Sequence, residues 1–345
     1  FMLLFSLGGA VFGMSEETIP FVLIFVPLAM RLGYDSITGV AIPFVGAGAG
    51  FAGAFLNPFT VGVAQGIAEV PLFSGLSYRF VCWLVVTAAA IAYVMIYAAK
   101  VKAAPEKSPT HAEDEEKRSS LEAGQSDEFS GMTRQDKAVL LTFAAGMVVL
   151  VYGVLRHGWY IEEIAAVFLV TGLAVGIVGR LPAGIITESF LGGAKDLVGT
   201  ALIIALARAI LVVARDGHIV ATILHSLSSV VEGFHPIISS QLMFGVQTVL
   251  NFFVPSGSGQ AALTMPIMAP LSDLVGVTRQ TAVLAFQFGD GFSNLIIPTS
   301  AVTMGVLTLG GIPWERWARW ILPLEGIYLV IGCLLLIPPY LLGWG

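Results

Sequence analysis

Charged side chains are scarce in this sequence of 345 residues. They make up 12% of the chain, against about 25% in an average soluble domain. Hydrophobic residues make up 56% and the mean hydropathy is +0.86. The 17 Lys+Arg and 23 Asp+Glu are too few to solvate the surface of a globule of this size. The shortage excludes nucleic-acid-binding proteins and soluble dinucleotide enzymes, and it predicts an all-α polytopic membrane protein.

Cysteine and the usual catalytic patterns are also rare or lacking. Cys82 and Cys333 both lie in apolar runs, which excludes a disulfide scaffold. No nucleophile elbow, phosphate-binding loop or zinc-hydrolase pattern occurs. Residues 48–53 satisfy G-x-G-x-x-G, but no strand precedes them, so we interpret these glycines as positions of close helix packing. We therefore expect no enzyme activity, no metal site and no cofactor.

The charges that are present cluster in one segment. Between Lys100 and Lys137 lie 16 of the 40 charged residues, and this composition predicts a solvated cytoplasmic linker at 101–136. The linker separates a first repeat at 1–100 from a second repeat at 137–319 and a final span at 320–345. The second repeat has about 100 residues before its hairpin, whereas the first has only a handful. We expect that two or three N-terminal helices of a complete first repeat are missing from this chain.

Three apolar runs are too long for one straight crossing. The runs 36–68 and 236–272 contain no charge, and 280–314 contains only Asp290. Helices of this length would reach roughly 50 Å, against a hydrocarbon core of about 30 Å. Helix-breaking residues interrupt each run: Asn57 with Pro58, the stretch 255–259, and 293–294 with 298–300. We predict a re-entrant helical hairpin at 236–275 and discontinuous helices at 36–68 and 279–312.

An internal repeat relates the two halves. At an offset of 243, ten identities occur in 37 positions, several of them Gly or Pro. The match predicts a first hairpin at 7–31 with its tip at 13–18, and it aligns the break at 57–60 with 300–303. With the linker in the cytoplasm, twelve Lys/Arg fall inside and four fall outside, namely Arg79, Arg156, Arg215 and Arg279. This trace gives an inverted-repeat secondary transporter with two re-entrant hairpins and two discontinuous helices.

Several segments carry a resemblance to a known family. They are GMSEETIPF, GAGAGFAGAFLNPFTVGVAQ, VPSGSGQAALTMPIMAPLSDLVG, GDGFSNLIIPTSAVTMGVL and ALARAILVVARDGHIVATILH. These segments resemble the YfcC family of DcuC-type C4-dicarboxylate carriers in the ion transporter superfamily, over essentially the whole chain except the linker. The resemblance implies an elevator-like carrier of the bacterial inner membrane, forming a homodimer, whose relatives are named dicarboxylate carriers or basic amino acid antiporters. Both tips lack the superfamily's Ser-Asn-Thr signature, so its sodium sites are not carried over.

The tip of the first hairpin contains two adjacent carboxylates, Glu16 and Glu17, between Ser15 and Thr18. Near the bilayer midplane such groups are usually functional. They are candidates to bind a substrate ammonium, a coupling cation or a proton, because two neighbouring carboxylates cannot both ionise cheaply in a low dielectric. The alternative is that the pair merely starts a helix at the surface.

The second tip has the residues of an anion site. Small residues expose backbone N–H groups, and a helix beginning near Gln260 would aim its positive end at a substrate carboxylate. The alternative is a plain tight turn. The tip candidates are Ser256, Gly257, Ser258, Gly259 and Gln260.

The helix breaks supply oxygen ligands for a coupling ion or solute. The candidates are Asn57 and Thr60 in the first break and Ser293, Asn294, Thr299 and Ser300 in the second. Proline kinks packed only for shape are the alternative. Asp290 is a candidate for ion coupling or for a structural ion pair. Arg208 lies within an apolar helix, where it would hold a carboxylate or, as we favour, pair with an acid such as Asp290.

These features predict an ion-coupled carrier of a small carboxylate-bearing solute, driven by an H⁺ or Na⁺ gradient. An amino acid or small peptide is slightly favoured, because two acids at the first tip would repel a dicarboxylate. A C4-dicarboxylate carrier is the alternative. An ion channel or an intramembrane enzyme is less favoured, because no continuous pore ring and no nucleophile–base pair can be found.

Overall fold

The computed structural model describes residues 1–123, 133–157, 159, 161–217, 222, 226 and 233–344. Within these residues all regular elements are helices, as the composition predicts. In chain order they are α1 Met2–Phe12, α2 Thr18–Arg31, α3 Ser36–Ala52, α4 Val63–Ile67, α5 Leu76–Ala103, α6 His111–Ala123, α7 Arg134–His157, α8 Ile161–Val178, α9 Ala183–Asp216, α10 Pro236–Phe253, α11 Gly257–Leu274, α12 Arg279–Ser293, α13 Ala301–Gly310, α14 Trp314–Leu335 and α15 Ile337–Leu342. A π-helical turn, Pro58–Gly62, precedes α4, and a short 3-10 helix, Pro105–Lys107, follows α5.

The chain divides into two compact units. The smaller unit, Ser119–Val198, contains α7 and α8, which pack side by side. A Cβ atom at Gly146 of α7 would lie 2.3 Å from Thr171 Oγ1 of α8, so the two helices approach at a glycine. The larger unit comprises Phe1–Arg118 and Gly199–Gly345 and contains both predicted hairpins and both predicted breaks.

Two helical segments of the described chain are long and apolar enough to cross a membrane, Leu76–Ala103 and Trp314–Leu342. They run antiparallel. Tyr78 Oη donates to the carbonyl of Leu335 at 2.5 Å, and the Tyr93 hydroxyl donates to the carbonyl of Trp320. The apolar helices α1, α2, α3 and α13 have 10–17 residues, fewer than the roughly 20 that one crossing requires.

Two pairs of helices form hairpins. In the first, Phe1 packs on Phe25 with ring centroids 5.3 Å apart and Phe5 packs on Phe21 at 5.0 Å, so α1 and α2 are antiparallel. This hairpin begins at Met2, five residues before the predicted start, because the N-terminal apolar residues extend the helix. In the second hairpin, α11 begins at Gly257.

The start of α11 corrects the sequence expectation of a helix beginning near Gln260. Ser256 is the N-cap, and its side chain accepts a hydrogen bond from the Gly259 N–H at 3.4 Å. A serine at this position satisfies a backbone donor that the helix leaves free. The helix can therefore begin three residues earlier than expected.

Both predicted discontinuous helices are interrupted. After α3, Asn57 Oδ1 accepts from the N–H groups of Phe59 and Thr60 at 2.9 and 3.3 Å and starts the π-helical turn. The first half ends at Ala52, five residues before the predicted break, where Gly53 packs against the backbone of Trp83. After α12, Ser300 caps α13 by accepting from the Thr303 N–H at 3.4 Å.

Helix boundaries recur at the offset of 243. The N-caps of α3 and α12 are Asp35 and Thr278, and each side chain accepts from the third residue after it. The capping residues of the second halves are Asn57 and Ser300. The pairs 35 and 278, and 57 and 300, each differ by 243. Helix starts therefore recur in the register of the sequence match, although the capping residues themselves differ.

The glycines at 48–53 serve close packing, as the sequence predicts. A Cβ atom at Gly50 would lie 1.8 Å from the carbonyl oxygen of Ser6, so α1 and α3 touch through their backbones. Gly9 makes the reciprocal approach, with its Cβ position 2.1 Å from the Ala47 carbonyl. No other residue type fits at these two positions without moving a helix.

Part of the segment 101–136 is folded rather than solvated. Asp114 Oδ2 accepts hydrogen bonds from the Ser36 N–H at 3.0 Å and from Thr110 Oγ1 at 2.9 Å. Ser108 Oγ donates to Asp35 Oδ2 at 2.7 Å. These five residues are buried. Composition alone predicted a solvated segment, but short polar side chains can be buried when each finds a partner.

We expect Gly50→Ala to destabilise the protein by about 1–3 kcal/mol, the usual cost of overpacking. The matched control is Gly66→Ala, because Gly66 is exposed in α4 and its Cβ position has no atom within 4 Å. The measurement is thermal unfolding of the detergent-solubilised protein. Equal melting temperatures for the two variants would contradict the close approach of α1 and α3.

Candidate functional site

The first hairpin tip and the second helix break line one small cavity. Its volume is about 20 Å³, room for about one water molecule. Candidate residues from two distant parts of the sequence meet there, because α2 packs on α13 and α3 packs on α12. The polar lining residues are Ser15, Thr18, Asn294 and Ser300. Phe44 and Phe51 of α3 contribute apolar walls.

The two carboxylates of the first tip have different environments. Glu17 is buried, and its Oε2 accepts a hydrogen bond from the Ser15 N–H at 3.0 Å. The Thr18 hydroxyl donates to the Ser15 carbonyl at 2.6 Å. Glu16 is exposed. Glu17 therefore lies against the cavity-lining backbone, whereas Glu16 points away from the protein interior.

The second hairpin tip touches the first helix break. A Cβ atom at Gly257 would lie 2.4 Å from Thr60 Cγ2, 3.1 Å from Asp290 Oδ2 and 3.3 Å from the ring of Phe51. The tip can approach Thr60 and Asp290 this closely only because residue 257 has no side chain. At the first tip, the Cβ position of Gly13 is 2.7 Å from Asn57 Oδ1. Each hairpin tip thus contacts a helix break.

A buried asparagine that we did not predict holds the end of α12. The side-chain nitrogen of Asn251, on α10, lies 3.0 Å from the Asp290 carbonyl, 2.8 Å from Ser293 Oγ and 3.0 Å from Asn294 Oδ1. Asn294 Nδ2 in turn donates to Asp290 Oδ1 at 3.2 Å. The signal in the sequence was an asparagine just before the tip in an uncharged run, where polar residues are expensive.

Tryptophan side chains satisfy the carbonyls that the second break leaves free. Trp317 Nε1 donates to the Leu295 carbonyl at 2.8 Å, and Trp314 Nε1 donates to the Ile296 carbonyl at 2.9 Å. The Thr303 hydroxyl donates to the Asn294 carbonyl. The backbone of this break is therefore fixed by side chains of α13 and α14.

The candidate residues of the second tip differ in burial and in what they contact. Gln260 is buried, and its amide nitrogen donates to the Gln247 carbonyl at 2.9 Å and to Gln247 Oε1 at 2.7 Å, which joins α11 to α10. Ser258 and Gly259 are half-buried in the first turn of α11. Gln260 therefore closes the hairpin, and the capped helix start at Ser256 and Gly257 is the part that faces the first break.

Several buried polar atoms around the breaks lack a hydrogen-bond partner in the described chain. Such atoms are few in folded proteins, and each calls for an explanation, of which a bound water or ion is a common one. They belong to both breaks, to α12 and to the second hairpin: Asn57 Nδ2, Thr60 Oγ1, Asp290 Oδ2, Gln287 Oε1, Thr299 Oγ1, Asn251 Oδ1, Gln260 Oε1 and Gln247 Nε2. A polar solute, an ion or water would satisfy them.

Two further ionisable residues, Arg208 and Glu325, lie within helices of the larger unit. Arg208 lies in α9, and its side chain is outside the described residues. Glu325, in the long helix α14, is buried, and its Oε1 has no partner in the described chain. We did not predict it, although a lone acid within the apolar run 320–345 was the available signal. Among the described residues, no group of three or more His, Cys, Asp or Glu side chains is arranged to hold a metal ion.

Broken helices that gather polar groups in an otherwise apolar helical protein define the class of secondary membrane transporters. The family model DcuC, C4-dicarboxylate anaerobic carrier, matches residues 1–340. The chain belongs to this family of membrane transporters, and the resemblance seen in the sequence is confirmed.

Two curated relatives cover nearly the whole chain. An Escherichia coli K12 protein named "Putative basic amino acid antiporter YfcC" is 41% identical over 99% of this chain and 69% of its own length. A Haemophilus influenzae protein named "Uncharacterized protein" is 35% identical over 97% of this chain and 66% of its own length. This chain therefore spans about two thirds of these relatives.

A solved structure has a similar fold. The Alcanivorax borkumensis YdaH transporter, described as having an unusual topology, matches with a TM-score of 0.54 at 14% identity, over 99% of this chain and 78% of that one. At this identity the likeness concerns the fold alone. The helical arrangement described above therefore resembles the fold of that protein.

We expect Asn251→Leu to lower the free energy of unfolding by about 1–3 kcal/mol, because the acceptors at the end of α12 would lose the side-chain N–H groups of Asn251. Thermal unfolding of the purified protein measures the effect. The matched control is Thr248→Val on the same helix, since the Thr248 hydroxyl bonds only to the Phe244 carbonyl of its own helix. If Asn251→Leu were no less stable than Thr248→Val, the bonds to the end of α12 would not matter for folding.

Proposed function

We propose that this protein is an ion-coupled secondary transporter of a small carboxylate-bearing solute, an amino acid or small peptide, in the bacterial inner membrane. The observation that carries the proposal is the convergence of both hairpin tips and both helix breaks around buried polar atoms without partners. The membership of a carrier family fixes the class of activity. Coupling would use an H⁺ or Na⁺ gradient, and the functional form would be a homodimer.

The packing of the hairpins supports an inverted repeat of elevator type. The helix α2 of the first hairpin packs on α3 and on α13, the second half of the other broken helix. The helix α11 of the second hairpin packs on α12 and on α4, again the second half of the other broken helix. Each hairpin thus packs on the second half of the broken helix from the other half of the chain. This reciprocal packing, and the helix boundaries that recur at an offset of 243, are expected of two repeats whose re-entrant hairpins enter the membrane from opposite sides.

The residues of the two hairpin tips suit different chemical groups of the solute. The positive end of α11, at Ser256 and Gly257, suits a carboxylate. Glu17, beside the cavity at the first tip, suits an ammonium or a proton. Asp290 Oδ2 and Thr60 Oγ1 near the second tip offer unsatisfied oxygens to a coupling cation, with Asn57, Ser293 and Asn294 nearby. Arg208 is the remaining candidate for a carboxylate partner.

A C4-dicarboxylate is the second candidate solute, because the matching family model carries that description. The name of the Escherichia coli relative favours a basic amino acid instead. The buried carboxylates Glu17 and Asp290 would repel a dianion unless they were protonated, whereas they would attract a cationic side chain or ammonium. The charges around the site therefore favour the amino acid.

Transport by the full-length protein in proteoliposomes tests the proposal. Labelled arginine, ornithine, aspartate and succinate are each offered with and without imposed proton and sodium gradients. We expect saturable amino acid flux that Glu17→Gln abolishes and Glu16→Gln preserves, since only Glu17 is buried beside the cavity. Succinate flux that survives Glu17→Gln would overturn the amine site and favour the dicarboxylate candidate. Absence of flux for every solute would reject both.

The contact between Gly257 and Thr60 provides a second test. We expect Gly257→Ala to reduce flux at least tenfold, because the new methyl group would overlap Thr60 Cγ2. Adding Thr60→Ser removes that methyl group, keeps the hydroxyl, and should restore flux. Gly245→Ala is the control on the same hairpin, because its Cβ position has no atom within 4 Å. Failure of the rescue would show that the close approach does not limit transport.

A further inference from the structure

Arg79 is a buried cation without a counterion. It lies in the first turn of α5, and its side chain is 0% exposed. Nη2 donates to Gln280 Oε1 at 2.9 Å, but Nε and Nη1, which carry most of the N–H donors, have no partner in the described chain. The sequence placed this arginine in an exterior loop. A buried charge without a partner is strongly destabilising in a protein interior.

The groups around Arg79 are neutral. Gln65 Nε2 donates to Gln280 Oε1 at 3.0 Å and to the Ser74 carbonyl at 3.1 Å, and Gln280 Nε2 donates to Ser74 Oγ at 2.5 Å. The ring of Trp344 lies 5.6 Å from the guanidinium carbon. The bond from Gln280 satisfies one nitrogen of the guanidinium, and Gln65 and Ser74 hold Gln280 in place, but none of these groups neutralises the charge.

The nearby carboxylates are already paired with a different arginine. Asp273 and Glu69 bind Arg279, at 2.8 and 2.9 Å, near the protein surface. No described acidic side chain forms an ion pair with Arg79. The positive charge of Arg79 therefore stands alone in a buried site.

The helix ends add to this positive field. The start of α5 has Gly75 as its N-cap, with no side-chain cap and no acidic residue in the first turn. Gln280, which binds Arg79, lies in the first turn of α12. A helix N-terminus favours an anion and disfavours a cation. The N-termini of α5 and α12 and the side chain of Arg79 therefore all favour a bound negative charge at this place.

We propose that Arg79 is the centre of a binding site for a small anion, with the chemistry of a chloride ion or a carboxylate group. The anion accepts hydrogen bonds from Nε and Nη1 of Arg79, while Gln280 holds the opposite side of the guanidinium. This site is separate from the proposed solute site and does not depend on it. It adds a buried positive position, besides the half-buried start of α11, to a protein of a carboxylate-carrier family.

Anion-dependent thermal stability of the full-length protein in detergent tests the site. Sodium chloride or sodium acetate replaces sodium isethionate at constant ionic strength, because a ligand that binds only the folded state raises the melting temperature. We expect a rise that saturates with anion concentration in the wild type. A chloride effect without an acetate effect assigns an inorganic anion, and the reverse assigns a carboxylate. If neither anion gives a saturable rise, the proposal is wrong.

Three variants separate the site from general salt effects. Arg79→Gln should abolish the saturable rise. Gln280→Glu places a carboxylate beside Arg79, so the protein should melt at a higher temperature without added anion and lose its response. Arg279→Gln, which removes an arginine that is already paired, should keep the response. If Arg79→Gln does not fold, Gln280→Glu decides the question. A response that persists in Gln280→Glu or in Arg79→Gln would overturn the proposal.

Discussion

The structure depends on capping side chains that satisfy backbone groups where helices end inside apolar segments. In a bilayer, water cannot satisfy these groups, so each interruption requires internal partners. Asn57, Ser256 and Ser300 supply acceptors for the free N–H groups at helix starts. Trp314 and Trp317 supply donors for carbonyls after α12. Without these partners, the breaks would be far more costly, and the polar groups that gather there would have no fixed position.

The breaks themselves could be predicted because their cause is local. Clusters of helix-breaking residues, such as Asn57 with Pro58 and the stretch 255–259, favour a helix end, and an uncharged run too long for one crossing must turn. The match at an offset of 243 also aligned the two breaks, 57–60 with 300–303, and in the structure Asn57 and Ser300 are the capping residues there. The family resemblance rested on these same segments. The sequence therefore predicted well the positions at which helices end, at the hairpin tips and at the helix breaks.

Other features depend on neighbours that are distant in the sequence, and sequence reasoning missed them. Ser36 and Asp114 are 78 positions apart, and nothing in the polar composition of 101–136 indicated that Asp114 would be buried. Arg79 looked like a loop residue because burial by Gln280 and Trp344 cannot be read from its own surroundings. Asn251 was overlooked because it follows a strongly apolar stretch. In each case the burial of the polar residue depends on contacts with residues that are distant in the sequence.

The indoles of α14 also make the second break visible to spectroscopy. Trp317 is fully buried against Phe44, with ring centroids 5.9 Å apart, and its nitrogen bonds to the carbonyl of Leu295, which lines the cavity. A displacement of this break would change the environment of that indole, because the two are joined by a hydrogen bond. In a variant that lacks the other five tryptophans, the intrinsic fluorescence of Trp317 would therefore report on changes at this break without an attached label.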